Sequence, residues 1–217
     1  RFYVIDFNGE YTQENQFGLS SQYKRVFKIN TRIESKENKI PIKKDYLFDA
    51  DILSILFDAR PATQVPFLRN ALKIFNKDIK DEIAFADIEI GLLKRIIQEH
   101  RNVSADSLNN WVYAAKALGV DETLLQSLTL HFSIDYGNLK VKTEDNQSIL
   151  DGEQISDTGL KVLKIVEIRN QLANKYKDLP PIRKLKCFLE FQRVYVSAWK
   201  STNIEHINPL FKRIETS

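Results

Sequence analysis

Two carboxylates stand close together near the start of this chain, Asp6 and Glu10, on either side of Asn8-Gly9. They follow Phe2-Tyr3-Val4-Ile5, a continuous apolar run of the kind that forms a strand buried on both faces. In open α/β sheets ligands gather at the carboxyl ends of strands. A carboxylate in that place can face a bound ligand. Asn8-Gly9 would make the turn that presents the pair. The plain alternative has Asp6 closing the turn and Glu10 in solvent, and the residues alone favour it. A nuclease built on Asp6 and Glu10 is a third option, but two-metal hydrolysis needs several converging carboxylates and no third one can be identified.

Basic residues offer a second kind of chemistry. Lys186, Arg193 and Lys200 recur every seven residues and share one helix face, with Arg183 nearby. From Leu150 onward the chain carries 12 Lys+Arg against 8 Asp+Glu, so this face could meet nucleic-acid phosphates. Glu190 falls in the same stripe, however, and an ordinary solvated helix face has this composition too. Other chemistries are excluded or reduced. No glycine is followed by lysine, so a G-x-x-x-x-G-K-[ST] phosphate loop is absent, as is a G-x-G-x-x-G fingerprint. His100, His131 and His206 are far apart and outside any metal-binding spacing, so no metal site is expected. Cys187 lies in the apolar stripe Ile182, Leu185, Phe188, Leu189 and Val196, where a free cysteine behaves as a small hydrophobe.

The elements that must position these groups are mainly helical. With 217 residues and 43% hydrophobic content, the chain can build one domain or two small ones without a disulfide or metal. The 32 Lys+Arg nearly balance the 29 Asp+Glu, which rules out a charged tail or a disordered acidic segment. One cysteine, no signal-peptide layout and no apolar run near the roughly 18 residues of a membrane span lead to the expectation of a cytoplasmic protein without membrane contact. The chain has no methionine and opens with Arg1 at the edge of a strand, so it is expected to be a segment of a longer protein.

The spacing predicts helices from Asp45 to Leu56, from a Thr63 cap through Phe75, from Glu82 to His100, from Ser104 to a stop at Gly119, and from an Asp121 cap through Leu128. Two long helices are predicted over Ser156 to Lys177 and Pro181 to Ser201, and a short one over Pro209 to Ile214. Alternation over His131 to Asp135 and Leu139 to Thr143, around Tyr136-Gly137-Asn138, predicts a β-hairpin near 130–143. The expected fold class is mainly α (α+β). A strand-and-loop part spans 1–44, a helical part with the hairpin 45–150, and two long helices with a return segment 151–217.

Val4-Ile5-Asp6-Phe7-Asn8-Gly9-Glu10-Tyr11 resembles the segment of HerA-type ATPases, relatives of the FtsK DNA translocases, that reads hydrophobic strand, Asp, any residue, His or Asn, Gly-Glu-Tyr. In that family this strand follows the phosphate-loop helix, and a long helical insertion separates it from the rest of the nucleotide-binding core. Asp45 to Leu56 resembles the segment after the motif, and Asn208-Pro209-Leu210-Phe211-Lys212-Arg213-Ile214 the return that reads Pro-Leu-x-x-Arg-hydrophobic. The middle two thirds of the chain carry no such match. The resemblance implies an incomplete core strand plus the helical insertion of an ATP-driven DNA translocase or helicase. It implies ATP and magnesium in the full-length parent and none in this chain alone, with Asp6 and Glu10 in catalytic places and Asn8 and Gly9 beside the nucleotide. The parent would be a hexameric ring on double-stranded DNA, working with a nuclease or another effector. A self-contained helical interaction module remains the competing expectation.

Overall fold

The computed structural model describes residues 4, 10–14, 16–27, 46, 48–99, 102–104, 106–130, 132–135, 138–142, 148–149, 164–199 and 201–215. The chain divides into two compact units, Arg1–Lys44 and Asp45–Ser217. In the first, two 3-10 turns, Gln16–Gly18 and Ser21–Tyr23, follow one another. Gly18 adopts φ +67°, a conformation that glycine enters without a Cβ clash. The strand expected at Phe2 to Ile5 lies outside the described residues except for Val4.

The second unit is mostly helical, and its helices begin where short side chains can take up free backbone N–H groups. Helix α1 (Ala50–Leu56) starts at Asp49, whose carboxylate accepts from the N–H groups of Asp51 and Ile52 at 2.9 and 3.0 Å. Helix α3 (Glu82–Gln98) starts at Asp81, which accepts from Ala84 N–H at 2.7 Å. Helix α4 (Ser107–Leu118) ends on Gly119, in the left-handed region at φ +96°. Asp121 caps α5 (Glu122–Leu130) through Leu124 N–H at 3.0 Å. Three short strands follow: β1 (Phe132–Asp135), β2 (Asn138–Lys142) and β3 (Ser148–Ile149). They pair antiparallel in that order, with Phe132 opposite Val141. Helices α6 (Ile165–Lys177), α7 (Pro181–Trp199) and α8 (Ser201–Glu215) complete the chain. Pro181 opens α7, where its missing N–H has no partner to lose.

Helix α2 (Gln64–Asp78) starts differently from the expectation. Thr63 makes no side-chain cap bond. The polar work falls to Gln64, which is fully buried. Its Oε1 accepts from Arg60 N–H at 2.9 Å and from Arg213 Nη2 at 2.8 Å, while its Nε2 donates to the His206 carbonyl at 2.7 Å. Arg213 also donates through Nε to the Phe57 carbonyl at 2.6 Å. The terminal helix is longer than the predicted Pro209–Ile214, because Pro209 lies inside it rather than at its start. Proline there cannot donate to the Glu205 carbonyl. Gln64 meets the next carbonyl along, so the weakened turn is braced from α2.

The core is one apolar cluster drawn from all the major helices. Helix α7 packs against α2, α3, α4 and α8, and α3 lies along α6. Phe85 of α3 stacks on Tyr176 of α6, with centroids 3.8 Å apart, and meets the edge of Phe191 of α7 at 5.8 Å. Trp111 of α4 meets Phe191 from another side, also at 5.8 Å.

Removing either end of the buried amide–guanidinium contact leaves the other without its partner. Gln64→Ala and Arg213→Ala are each expected to lower unfolding free energy by about 1–3 kcal/mol, with less than additive loss in the double variant. Urea denaturation of the three variants checks this, and fully additive losses would show that the two side chains act separately.

Candidate functional site

Of the N-terminal residues, Asp6, Asn8 and Gly9 lie outside the described residues, and Glu10 sits exposed in a turn. The basic stripe is better defined. Lys186 and Arg193 both lie on α7, which other helices cover on several sides, and each is half-buried. Arg193 approaches Glu190 at 3.6 Å, and its guanidinium carbon lies 5.2 Å from the Phe211 ring centroid. That guanidinium is therefore held between its own helix and α8. Lys200 lies outside the described residues. Burial, followed by the nearby Glu89 and Glu190 carboxyls, pushes the Cys187 thiol well above its ordinary value. A thiol so raised carries almost no thiolate at neutral pH. His206 is exposed and enters the fold through its backbone carbonyl.

A cluster that sequence spacing did not single out joins the last turns of α3 and α7. Arg95 donates through Nε to Glu99 Oε1 at 2.8 Å, one helical turn on. Trp199 donates through its indole N–H to Glu99 Oε2 at 2.6 Å. The Arg95 guanidinium carbon lies 4.4 Å from the Trp199 ring centroid and 5.9 Å from that of Tyr195. Tyr195 and Trp199 also touch, with centroids 5.3 Å apart. One carboxylate thus satisfies a cation and an indole, and the cation stacks on the same indole. Charge is neutralised within the cluster, which makes it a clasp between helix ends with no excess field to offer an ionic ligand. The Arg95–Glu99 pair at i, i+4 is a local signal. Trp199 stands 100 residues from Glu99 in sequence, which hides the rest.

Glu89 was missed as well. It is fully buried on α3, and neither carboxyl oxygen has a hydrogen-bond partner among the described residues. Its signal was present in the pattern: it falls four residues after Phe85 and four before Leu93, in the middle of an apolar stripe. Ser107, at the start of α4, is also buried, and its hydroxyl has no hydrogen-bond partner among the described residues.

Among the described residues no helix is long and apolar enough to cross a membrane. No group of three or more His, Cys, Asp and Glu among them could hold a metal ion. The chain matches no protein-family model, no curated protein and no solved structure.

The clasp has a direction in pH. Hydrogen bonding from Arg95 holds the Glu99 carboxyl below its ordinary value of 4.5, against an opposing effect of burial and with help from Trp199. A depressed carboxyl stabilises the fold above the ordinary value and loses that contribution as pH falls through the folded one. Tryptophan emission is therefore expected to step below pH 4.5 in the wild type, and the step should be absent in Glu99→Gln. An unchanged acid titration in that variant would separate Trp199 from Glu99.

Proposed function

We propose that this chain is the part of a HerA/FtsK-type ATPase that carries one strand of the nucleotide-binding core and the helical insertion after it. The observation that carries the reading is the octapeptide Val4-Ile5-Asp6-Phe7-Asn8-Gly9-Glu10-Tyr11, with weaker support from the segments at Asp45 and Asn208. In this reading Phe2 to Ile5 joins the parent's sheet. Asp6 and Glu10 face ATP and its magnesium, and Asn8-Gly9 forms the turn beside them. The parent is a cytoplasmic, hexameric, ATP-driven translocase or helicase on double-stranded DNA, with a nuclease or another effector as its companion. The helical unit, including its hairpin, serves contact with subunits, partner or DNA, with Lys186, Arg193 and Lys200 as the DNA-facing candidates.

Supporting this, residues 45–217 form a unit with a hydrophobic core of their own, as an insertion between strands must. The same observation favours a second reading, a helical interaction module without ATPase parentage. Without a phosphate loop, neither reading gives this chain ATP turnover of its own.

The gene sequence upstream of Arg1 separates the two readings, since only the motor requires a G-x-x-x-x-G-K-[ST] segment there. In the full-length protein, Asp6→Ala and Glu10→Ala are each expected to lower ATP turnover by about tenfold or more with little change in thermal stability. Turnover that stays at the wild-type rate in both variants would return these residues to a structural turn.

A further inference from the structure

Glu89 projects from the buried stripe of α3 into a region bounded by α4, α6 and α7. Each of these helices can be searched for a group that would compensate an ionised carboxylate. Helix α4 brings Trp111, but its indole N–H donates to the backbone carbonyl of Glu89 at 3.0 Å, not to the carboxyl group. Helix α6 brings Tyr176 and helix α7 brings Cys187, whose pKa values both rise through burial first and the influence of Glu89 second or third. Glu190, also on α7, acts on Cys187 in the same sense. Lys184 approaches the Tyr176 ring instead, with its Nζ 5.2 Å from the centroid. No ion pair or hydrogen bond reaches the Glu89 carboxyl group among the described residues.

An unpaired carboxylate in such surroundings costs several kcal/mol even after relaxation, far more than the neutral acid. Burial alone therefore keeps the proton on Glu89 well above its ordinary value of 4.5. Tyr176 and Cys187 give no relief. Both are neutral at neutral pH, and a negative charge on Glu89 only makes their own ionisation harder. An anion formed at this point recovers solvation when α3 parts from α6 and α7 and water enters.

We propose that Glu89 is a proton-operated latch in the core: as the neutral acid it lets α3 seat against α6 and α7, and loss of its proton loosens that seat and uncovers the aromatic cluster of Phe85, Tyr176 and Phe191. This inference is independent of any nucleotide-binding role. It gives the fold a stability that changes with pH in a fixed direction. For a carboxyl whose folded pKa is raised, the contribution is intact below the ordinary value and is lost as pH rises through the folded one.

The test is urea unfolding of the full chain from pH 5 to pH 9, wild type against Glu89→Gln, which keeps the shape and cannot ionise. The ratio of folding constants, variant over wild type, is expected to grow by about tenfold per pH unit until the folded carboxyl itself ionises. Parallel pH profiles would overturn the proposal. Two measurements on the wild type stand whether or not the variant folds. Infrared spectra of the glutamate-labelled protein at neutral pH should contain a protonated carboxyl band that disappears on unfolding, and absence of that band overturns the latch. After correction for hydroxide catalysis, amide exchange in α3 and α6 should quicken with rising pH, and constant protection overturns the loosening.

Discussion

Phe85 lies flat on Tyr176 and edge-on to Phe191, and Phe191 in turn receives the edge of Trp111. These four rings belong to α3, α6, α7 and α4, so one aromatic cluster fixes the mutual placement of helices from distant parts of the chain. Each ring removes on the order of 150–250 Å² from water, and the stacked and edge-on contacts add direction to that burial. A second line of rings, Phe48 to Phe75 at 5.4 Å and Phe75 to Phe188 at 5.5 Å, extends the core towards α1 and α2. Helix α7 carries both Phe188 and Phe191. That double engagement makes it the central helix, and it explains why basic residues on its surface are drawn to partners within the protein.

Polar contacts take their meaning from this frame. At one place the buried Gln64 amide ties the start of α2 to the proline-weakened turn of α8. At another, Glu99 ties α3 to the end of α7 through Arg95 and Trp199. The first pairs groups that burial would otherwise leave unpaired, and the directionality of both selects one register of helix packing. Exposed pairs such as Arg69 with Asp51, at 2.8 Å, contribute little beside them. Glu89 differs: it is placed beside the aromatic frame, and among the described residues its carboxyl oxygens have no hydrogen-bond partner. It is the point at which the packing depends on a proton.

The proposed motor parentage and the helical frame concern different parts of the chain. The octapeptide falls in the first unit and the packed helices in the second. A helical body with a core of its own can be carried between two strands of another domain without sharing that domain's packing. That property suits an insertion and suits a free-standing module equally, so the residues around Asp6 bear the functional distinction and the helices do not.

Helix identity and several helix ends were legible in the amino-acid order, because they are set by neighbours within one turn. Asp121, Gly119 and Pro181 act on backbone groups no more than a few residues away, and apolar residues at helical spacing mark the faces that must leave water. Other features depended on partners that only folding supplies. Gln64 reaches a carbonyl 142 residues later and a guanidinium 149 residues later, which is why a local cap at Thr63 looked sufficient and Pro209 looked like a helix start. Glu89 shares its spacing with leucines and phenylalanines. Its lack of a hydrogen-bond partner among the described residues emerges only when α4, α6 and α7 close around it, because an unsatisfied carboxyl is a property of its surroundings and not of its place in the chain.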